Sequence, residues 1–276
     1  MAPMPAAIHP SAVITGPTEF GPGVQIGPGC TVTGPVTLEE NVRLIAGVHL
    51  QGPLTIGART VVYPGACIGF EPQDLKFDPA APTPGVRIGA DCTLREHVTI
   101  HAASNGKEHP TSTGDRCFLM VNAHIGHDAV IGSDVVMVNN SAIGGHAQLG
   151  DRATLGGNAV LHQFNRVGRL GFVSGGSAFA TDIPPFCIGH SRNLIAGLNV
   201  VGLRRSGMAR DHITLVRQAF REAIRTRLPK AQTIALLREL GRDCPPVLEL
   251  AEFYATTKRT VAPFGTQSRG GSPDED

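Results

Sequence analysis

His127, Gly145 and Gln163 follow one another at intervals of 18 residues, and each stands two places after a large apolar residue, Ile125, Ile143 and Leu161 respectively. If the chain winds with an 18-residue coil, the three stack in one column, about 4.8 Å apart, the spacing of paired strands. A neutral imidazole can take a proton from a hydroxyl near pH 7. A backbone N–H one layer above it can donate to the oxyanion of a tetrahedral intermediate. Together these groups would serve acyl transfer from a thioester. No serine or cysteine shares the column, which favours direct attack by a substrate hydroxyl over an acyl-enzyme route. His101, His124, His146 and His162 gather around the same stretch. Asp128 follows His127, but neighbours on a strand point to opposite sides, so contact between the two is not guaranteed. Position two after an inward anchor is expected to point outward, leaving His127 exposed.

The elements that would hold this column are written in a metre of six. From Ile8 the sixth residue is always large and apolar: Ile14, Phe20, Ile26, Val32 and so on to Ile68; the metre resumes at Ile88–Ile100 and again from Leu119 to Val173. The residue four after each anchor is usually small or β-branched, as at Ala123, Ala129, Ala147 and Ala153, and glycine often follows the anchor directly, as at Gly126, Gly132, Gly144, Gly150 and Gly156. A period of six fits neither an amphipathic helix nor an alternating strand. It fits short strands joined by tight bends, with the anchor inward and glycine taking backbone angles that other residues resist. Three hexads per coil turn 24 registers into about eight coils, roughly 38 Å of prism. With no tryptophan and 5% aromatic residues, the core is expected to be narrow.

The fold expected is an all-β parallel β-helix over 1–189 with a C-terminal α-helical domain over 190–262. Loops near 69–87 and 102–118 interrupt the metre, both rich in Pro, Gly and polar residues. Helices are read at 211–227, capped by Asp211, at 230–240 and at 246–259, and residues 263–276 as disordered. The net charge of +1 gives no indication of a nucleic-acid partner. The six cysteines lack CxxC or disulfide-like spacing and read as buried hydrophobes of a reducing compartment. Neither a secretory signal nor a membrane-spanning stretch is found, so the expected location is cytoplasmic, without membrane insertion.

The strings LMVNAHIGHDAVIG (119–132), IGGHAQLGDRATLGGNAVLHQF (143–164), IGFEPQDLKF (68–77), REHVTIH (95–101), DIPPF (182–186) and NVVGLRRSG (199–207) resemble, in order and to about residue 260, the UDP-N-acetylglucosamine 3-hydroxyacyl-carrier-protein O-acyltransferases that open lipid A biosynthesis. The resemblance implies a left-handed coil, against the usual crossover rule. It also implies acyl-carrier protein and UDP-N-acetylglucosamine as partners, a homotrimer, and no cofactor or metal. For the matching positions it implies His127 as general base supported by Asp128, and the Gly145 amide as oxyanion donor. Gln73, Asp74 and Lys76 on the first loop would contact the sugar nucleotide. His124, His146, His162 and Gln163 would line the sugar and thioester site, and Asn199, Arg204 and Arg205 would meet the nucleotide and its phosphates. Gly175 would be the acyl-chain ruler. The chain departs from the family at Ala102-Ala103, where Arg-Gly is common, at Val201, where an acidic residue is common, and at Ser206, where an arginine often stands. Two other readings stay open: a γ-class carbonic-anhydrase-like zinc protein, and a related enzyme acting on a 3-amino sugar. The eight basic groups between Arg204 and Lys230 (Arg204, Arg205, Arg210, Arg217, Arg221, Arg225, Arg227, Lys230) mark an expected docking surface for an acidic carrier protein.

Overall fold

The computed structural model describes residues 5–265. The chain winds as a left-handed parallel β-helix of about ten turns, capped by C-terminal helices. Its three faces are parallel sheets. Sheet A runs from Ala7–Ile8 up to Cys187–His190, sheet B from Val13–Thr15 to Ala178–Phe179, and sheet C from Thr18–Phe20 to Arg166–Val167. The anchors fill the axis: Ile26, Leu44, Ile68, Leu94, Ile125, Ile143 and Leu155 are all buried in one continuous core. The coil count exceeds the expected eight because the metre has rungs that apolar spacing alone does not reveal. Thr111–Thr113 fills a rung of sheet C, with buried Thr113 in the anchor role, and Phe179 and Ile183 continue the anchor stacks above Leu161 and Val167.

Both interruptions leave the prism at the same corner, from sheet B to sheet C, on successive coils. The first loop spans 71–85, between Cys67–Phe70 and Val86–Ile88. The second spans 102–110, ending where Thr111 re-enters the prism, so it is shorter than the 102–118 expected. Register survives both insertions: Cys67 pairs with Thr99 and Thr99 with His124.

The glycine rule needs correction. The residue with left-handed backbone is the third after the anchor: Asp91, Asn122, Asp128, Asn140, His146, Asn158 and Phe164 all have φ between 56° and 65°. Glycine at the first position has another cause, crowding between coils. A Cβ on Gly126 would come within 2.7 Å of the Gly145 N, and one on Gly156 within 2.5 Å of the Gly175 N.

The last rung, Cys187–His190, pairs antiparallel with Leu194–Leu198, so the C-terminal region opens on a strand. Helix α1 (Val200–Arg205), absent from the sequence reading, follows and is capped by Asn199, whose Oδ1 accepts from the Gly202 N–H at 2.9 Å. Helix α2 (Arg210–Ala219) continues into a π-helical turn at Phe220–Ile224. Asp211 lies inside its first turn rather than at the cap, which is Ala209. Helices α3 (Lys230–Leu240) and α4 (Pro245–Thr256) pack on each other. Of the tail expected to be disordered, residues 263–265 are ordered: Phe264 bridges Ile195, and the Arg227 guanidinium donates to the Phe264 carbonyl. The rest, 266–276, lies outside the described residues.

The two kinds of glycine predict opposite outcomes. Gly27 follows an anchor, and a Cβ there would meet the Ile45 carbonyl oxygen at 1.8 Å. Gly47 sits at the left-handed position, φ 54°, with open space around it. Gly27→Ala is expected to cost about 1–3 kcal/mol or more. Gly47→Asn should be close to neutral, because asparagine tolerates left-handed backbone. Denaturant unfolding of both variants checks this; equal losses would refute the crowding account.

Candidate active site

His127 and Asp128 form the two-residue bend that carries the chain from sheet B to sheet C. Being on a bend rather than a strand, the neighbours can face each other. His127 Nδ1 lies 2.6 Å from Asp128 Oδ2 within one chain. The expected exposure of His127 is corrected too: its side chain is only 14% exposed and that of Asp128 5%, because both loops leave from this corner and the second folds back over the pair. Ser104 on that loop, which sequence reasoning passed over, donates from Oγ to Asp128 Oδ2 at 2.6 Å and from its N–H to Oδ1 at 3.0 Å. Its Oγ is also 3.1 Å from His127 Nδ1. The Asp128 N–H donates to Thr111 Oγ1 at 2.7 Å. Burial works to raise the Asp128 carboxyl, but the hydrogen bonds from His127 and Ser104 outweigh it and hold the group below the usual carboxylate range. Ser104 therefore brings a hydroxyl into the site, but on the Nδ1 side and already bonded to a carboxylate. It is not placed to be activated by Nε2.

One coil above, Gly145 abuts the ring. A Cβ there would lie 2.6 Å from His127 Nε2, so any side chain at 145 would displace the imidazole. Along the corner from sheet C to sheet A, the amide two after the anchor is capped by the side chain one coil up: the Asp115 N–H donates to Ser133 Oγ and the Ser133 N–H to Asp151 Oδ1. At the His127 corner no side chain plays this part, and among the described residues the Gly145 N–H has no acceptor. The coil thus leaves a donor beside Nε2.

Other imidazoles surround this pair. His146 Nε2 is 3.4 Å from Asp128 Oδ2, and its ring stacks on Phe164 with centroids 4.4 Å apart. Burial lowers its pKa, partly offset by the Asp128 charge, and the field of Asp74 on the first loop also reaches it. His124 Nδ1 is 2.8 Å from Thr99 Oγ1, and its ring meets His101 edge-on at 5.1 Å. Burial lowers the pKa of His124 and pushes His101 down to about 4. His162 and Gln163 are exposed at the top of the column. Gln73 and Lys76 are exposed on the first loop. Ligand atoms of His127, Asp128 and His146 lie within 4.8 Å of one another, close enough to close on a metal ion.

Two sets of expected site residues lie elsewhere in the same chain. Helix α1 is tied to the corner between sheets C and A: Arg152 donates to the Ser206 carbonyl and Asn199 Nδ2 to the Leu170 carbonyl. Asn199, Arg204 and Arg205 are therefore on a different corner from His127. Gly175 is on the third corner, between sheets A and B, above Asn139 and Gly157. Its backbone is not left-handed; that is Gly176, φ 69°. A bend therefore does not explain the missing side chain at 175.

A histidine–aspartate pair on the bend of a left-handed parallel β-helix, beside an unclaimed amide, is an arrangement that can serve acyl transfer, and the fold is that of the hexapeptide-repeat acyltransferases. Residues 182–262 match the family described as UDP N-acetylglucosamine O-acyltransferase, domain 2. The chain is 42% identical over 255 residues to the acyl-[acyl-carrier-protein]–UDP-N-acetylglucosamine O-acyltransferase of Myxococcus xanthus (92% of this chain, 98% of that one). It is 41% identical over 251 residues to the same-named protein of Sinorhizobium medicae (91% and 92%). The crystal structure of UDP-N-acetylglucosamine O-acyltransferase from Moraxella catarrhalis superposes with a TM-score of 0.88 at 30% identity, covering 92% of this chain and 99% of that one. The chain belongs to the acyl-[acyl-carrier-protein]–UDP-N-acetylglucosamine O-acyltransferase family.

His101 gives this site an acid limit. Its Nδ1 is buried and has no hydrogen-bond partner among the described residues, and its folded pKa of about 4 lies below its ordinary value of 6.5. Between those values the unfolded chain takes up a proton that the folded chain refuses, so folding stability falls as pH drops from about 6.5 toward 4. Thermal unfolding across that range is expected to show a smaller loss in His101→Gln than in wild type. Identical slopes would refute it.

Proposed function

We propose that the chain transfers a 3-hydroxyacyl group from acyl-carrier protein to the 3-hydroxyl of UDP-N-acetylglucosamine, the entry step of lipid A biosynthesis. The observation that carries this reading is His127 Nε2 beside the unclaimed Gly145 amide, in a chain of this family. With Nδ1–H held by Asp128, Nε2 takes the proton of the sugar hydroxyl as its oxygen attacks the thioester carbonyl. The Gly145 N–H donates to the resulting oxyanion. Collapse breaks the C–S bond, and the proton on His127 passes to the departing thiolate. Asp128 keeps the imidazole in the useful tautomer. The neutral state that burial favours in His124 and His146 suits a site that handles a hydroxyl and a thioester. Gln73, Asp74 and Lys76 hold the sugar nucleotide from the first loop, with His124, His146, His162 and Gln163 around the sugar and thioester.

The nucleotide contacts come from a second subunit on this reading. The tie of α1 to another corner than His127 supports Asn199, Arg204 and Arg205 serving a neighbour's site in a homotrimer. Acyl-carrier protein docks on the helices, where Arg204, Arg210 and Arg217 line a cavity of about 540 Å³. Arg227 and Lys230, both exposed, also donate to the carbonyls of Phe264 and Thr257. The reaction is set in the cytoplasm; no helix among the described residues is long and apolar enough to cross a membrane. A zinc reading has one observation in its favour, the His127–Asp128–His146 grouping. Full turnover after exhaustive chelation would dismiss it, and loss restored by zinc would establish it.

His127→Ala is expected to reduce turnover by about 10²–10⁴-fold while leaving the fold intact, since its ring fills no part of the core. Product formation followed by mass spectrometry checks this, and near-normal turnover would remove His127 from the role of base.

Gly175 sets chain length in this account. Gly157 and Gly175 leave a bare strip along one corner, and a neighbour's His127 corner facing it encloses a channel for the acyl chain. Each buried CH₂ contributes about 0.8 kcal/mol, and a donor of about 14 carbons is preferred over one of ten. A Cβ at 175 would meet the Gly157 carbonyl oxygen at 3.2 Å and the Gly157 N at 3.7 Å, so a small shift lets the prism accept one. Gly175→Met should shift mixed-donor competition toward shorter chains; an unchanged product distribution would show that the ruler lies elsewhere.

A further inference from the structure

Asp128 is small, and a carboxylate beside an imidazole can turn about its own axis. Here every freedom of that kind is removed by the two loops. Ser104 takes both carboxylate oxygens, its hydroxyl on Oδ2 and its N–H on Oδ1. Thr111 takes the Asp128 N–H. Ser104 is itself held through the next residue. The Asn105 amide spans the gap between the loops: Oδ1 accepts from the Asp78 N–H at 2.9 Å, and Nδ2 lies within 3.0–3.3 Å of the carbonyls of Asp78, Ala81 and Pro82. Thr83 Oγ1 of the first loop bonds the Ala103 carbonyl. The loop that bears Asp74 and Lys76 is thus joined by hydrogen bonds through Asn105 and Ser104 to Asp128 and His127.

We propose that Ser104 is a positioning residue for this reaction, aligning Asp128 so that His127 presents an unprotonated Nε2, and that Asn105 acts through it by locking the two loops together. The proposal rests on His127 being the base. Ser104 is not a nucleophile: its hydroxyl hydrogen is committed to Asp128 Oδ2, and Asp128 shares that oxygen with His127 Nδ1. Position 104 is four after the anchor Ile100, the slot that holds the small inward residue in uninterrupted coils, as Ala129 does after Ile125. Here the loop starts early and turns the slot outward over the dyad.

Ser104→Ala, Ser104→Thr, Asn105→Ala and the Ser104→Ala/Asn105→Ala double variant test this, with steady-state kinetics and the ¹⁵N signature of the His127 ring as independent readouts. In Ser104→Ala, kcat should fall about 10- to 100-fold, the scale of one hydrogen bond to a charged group. KM for UDP-N-acetylglucosamine should stay near wild type, and the ring nitrogens should move from a single tautomer toward a mixture. Ser104→Thr keeps the hydroxyl and should restore both. The double variant should cost less in kcat than the two single losses combined, since Asn105 works through Ser104, whose N–H bond to Asp128 alone remains in Ser104→Ala. A wild-type kcat and a single tautomer in Ser104→Ala would overturn the proposal. A rise in KM at unchanged kcat would also overturn it, because Ser104 would then only shape the loop. Additive losses in the double variant would overturn the part assigned to Asn105. A mixed tautomer with unchanged kcat would sustain the positioning role and instead refute His127 as base.

Discussion

Parallel pairing of each short strand with the one a full coil away is the constraint on which the rest of this molecule depends. Once Val61 pairs with Arg43 and His124 with Ala142, every residue type at a given place in the hexad is repeated about 4.8 Å higher. The bends inherit that register, so the three corners become three columns with separate characters. The corner between sheets C and A carries alternating charges, with Arg59 bonded to Asp91 and Arg116 to Asp134, and it receives α1 at Arg152. These exposed pairs are individually weak; their effect is to occupy the corner. The corner between A and B ends in the bare backbone of Gly157 and Gly175. The corner between B and C keeps an imidazole, an unclaimed amide and the two long loops.

Chemistry follows from that arrangement with little further adjustment. A β-helix bend leaves one amide per corner outside the ladder, and on the corner between sheets C and A those of Ala90, Asp115 and Ser133 are capped by a side chain from the coil above. Placing glycine above His127 clears the space into which the imidazole leans. On the proposed reading, the oxyanion donor is set by backbone register, and the base by register together with the contacts that orient its ring. What register does not set is the rotation of Asp128, and that is where the loops enter.

The sequence makes the prism legible because apolar anchors at a fixed period have no other physical explanation. It also makes the His127–Gly145–Gln163 column legible, since stacking is arithmetic once the coil length is known. It misleads where position and cause separate. Glycine after the anchor suggested unusual backbone, whereas the crowding of coils requires it and Asp128, His146 and Phe164 carry the left-handed angles. Thr113 hid a rung because a buried threonine does not look like an anchor. His127 looked exposed because its cover comes from a loop whose path no periodicity describes, and Ser104 was missed for the same reason. Helix α1 is six residues long, too short for a hydrophobic period, and its signal was the Asn199 cap. The resemblance supplied roles for Asn199, Arg204 and Arg205, but only the coordinates put them on another corner from His127.

That separation makes subunit mixing the most direct test of the account. Two inactive variants, His127→Ala and Asn199→Ala/Arg204→Ala/Arg205→Ala, are each purified, then denatured together, refolded and assayed. If each site takes its base from one subunit and its nucleotide contacts from another, some mixed assemblies hold an intact site and activity returns well above that of either variant refolded alone. If both sets of residues serve the same subunit's site, every site in every mixture carries a lesion. Verified mixed assemblies with no recovered activity would then contradict the account.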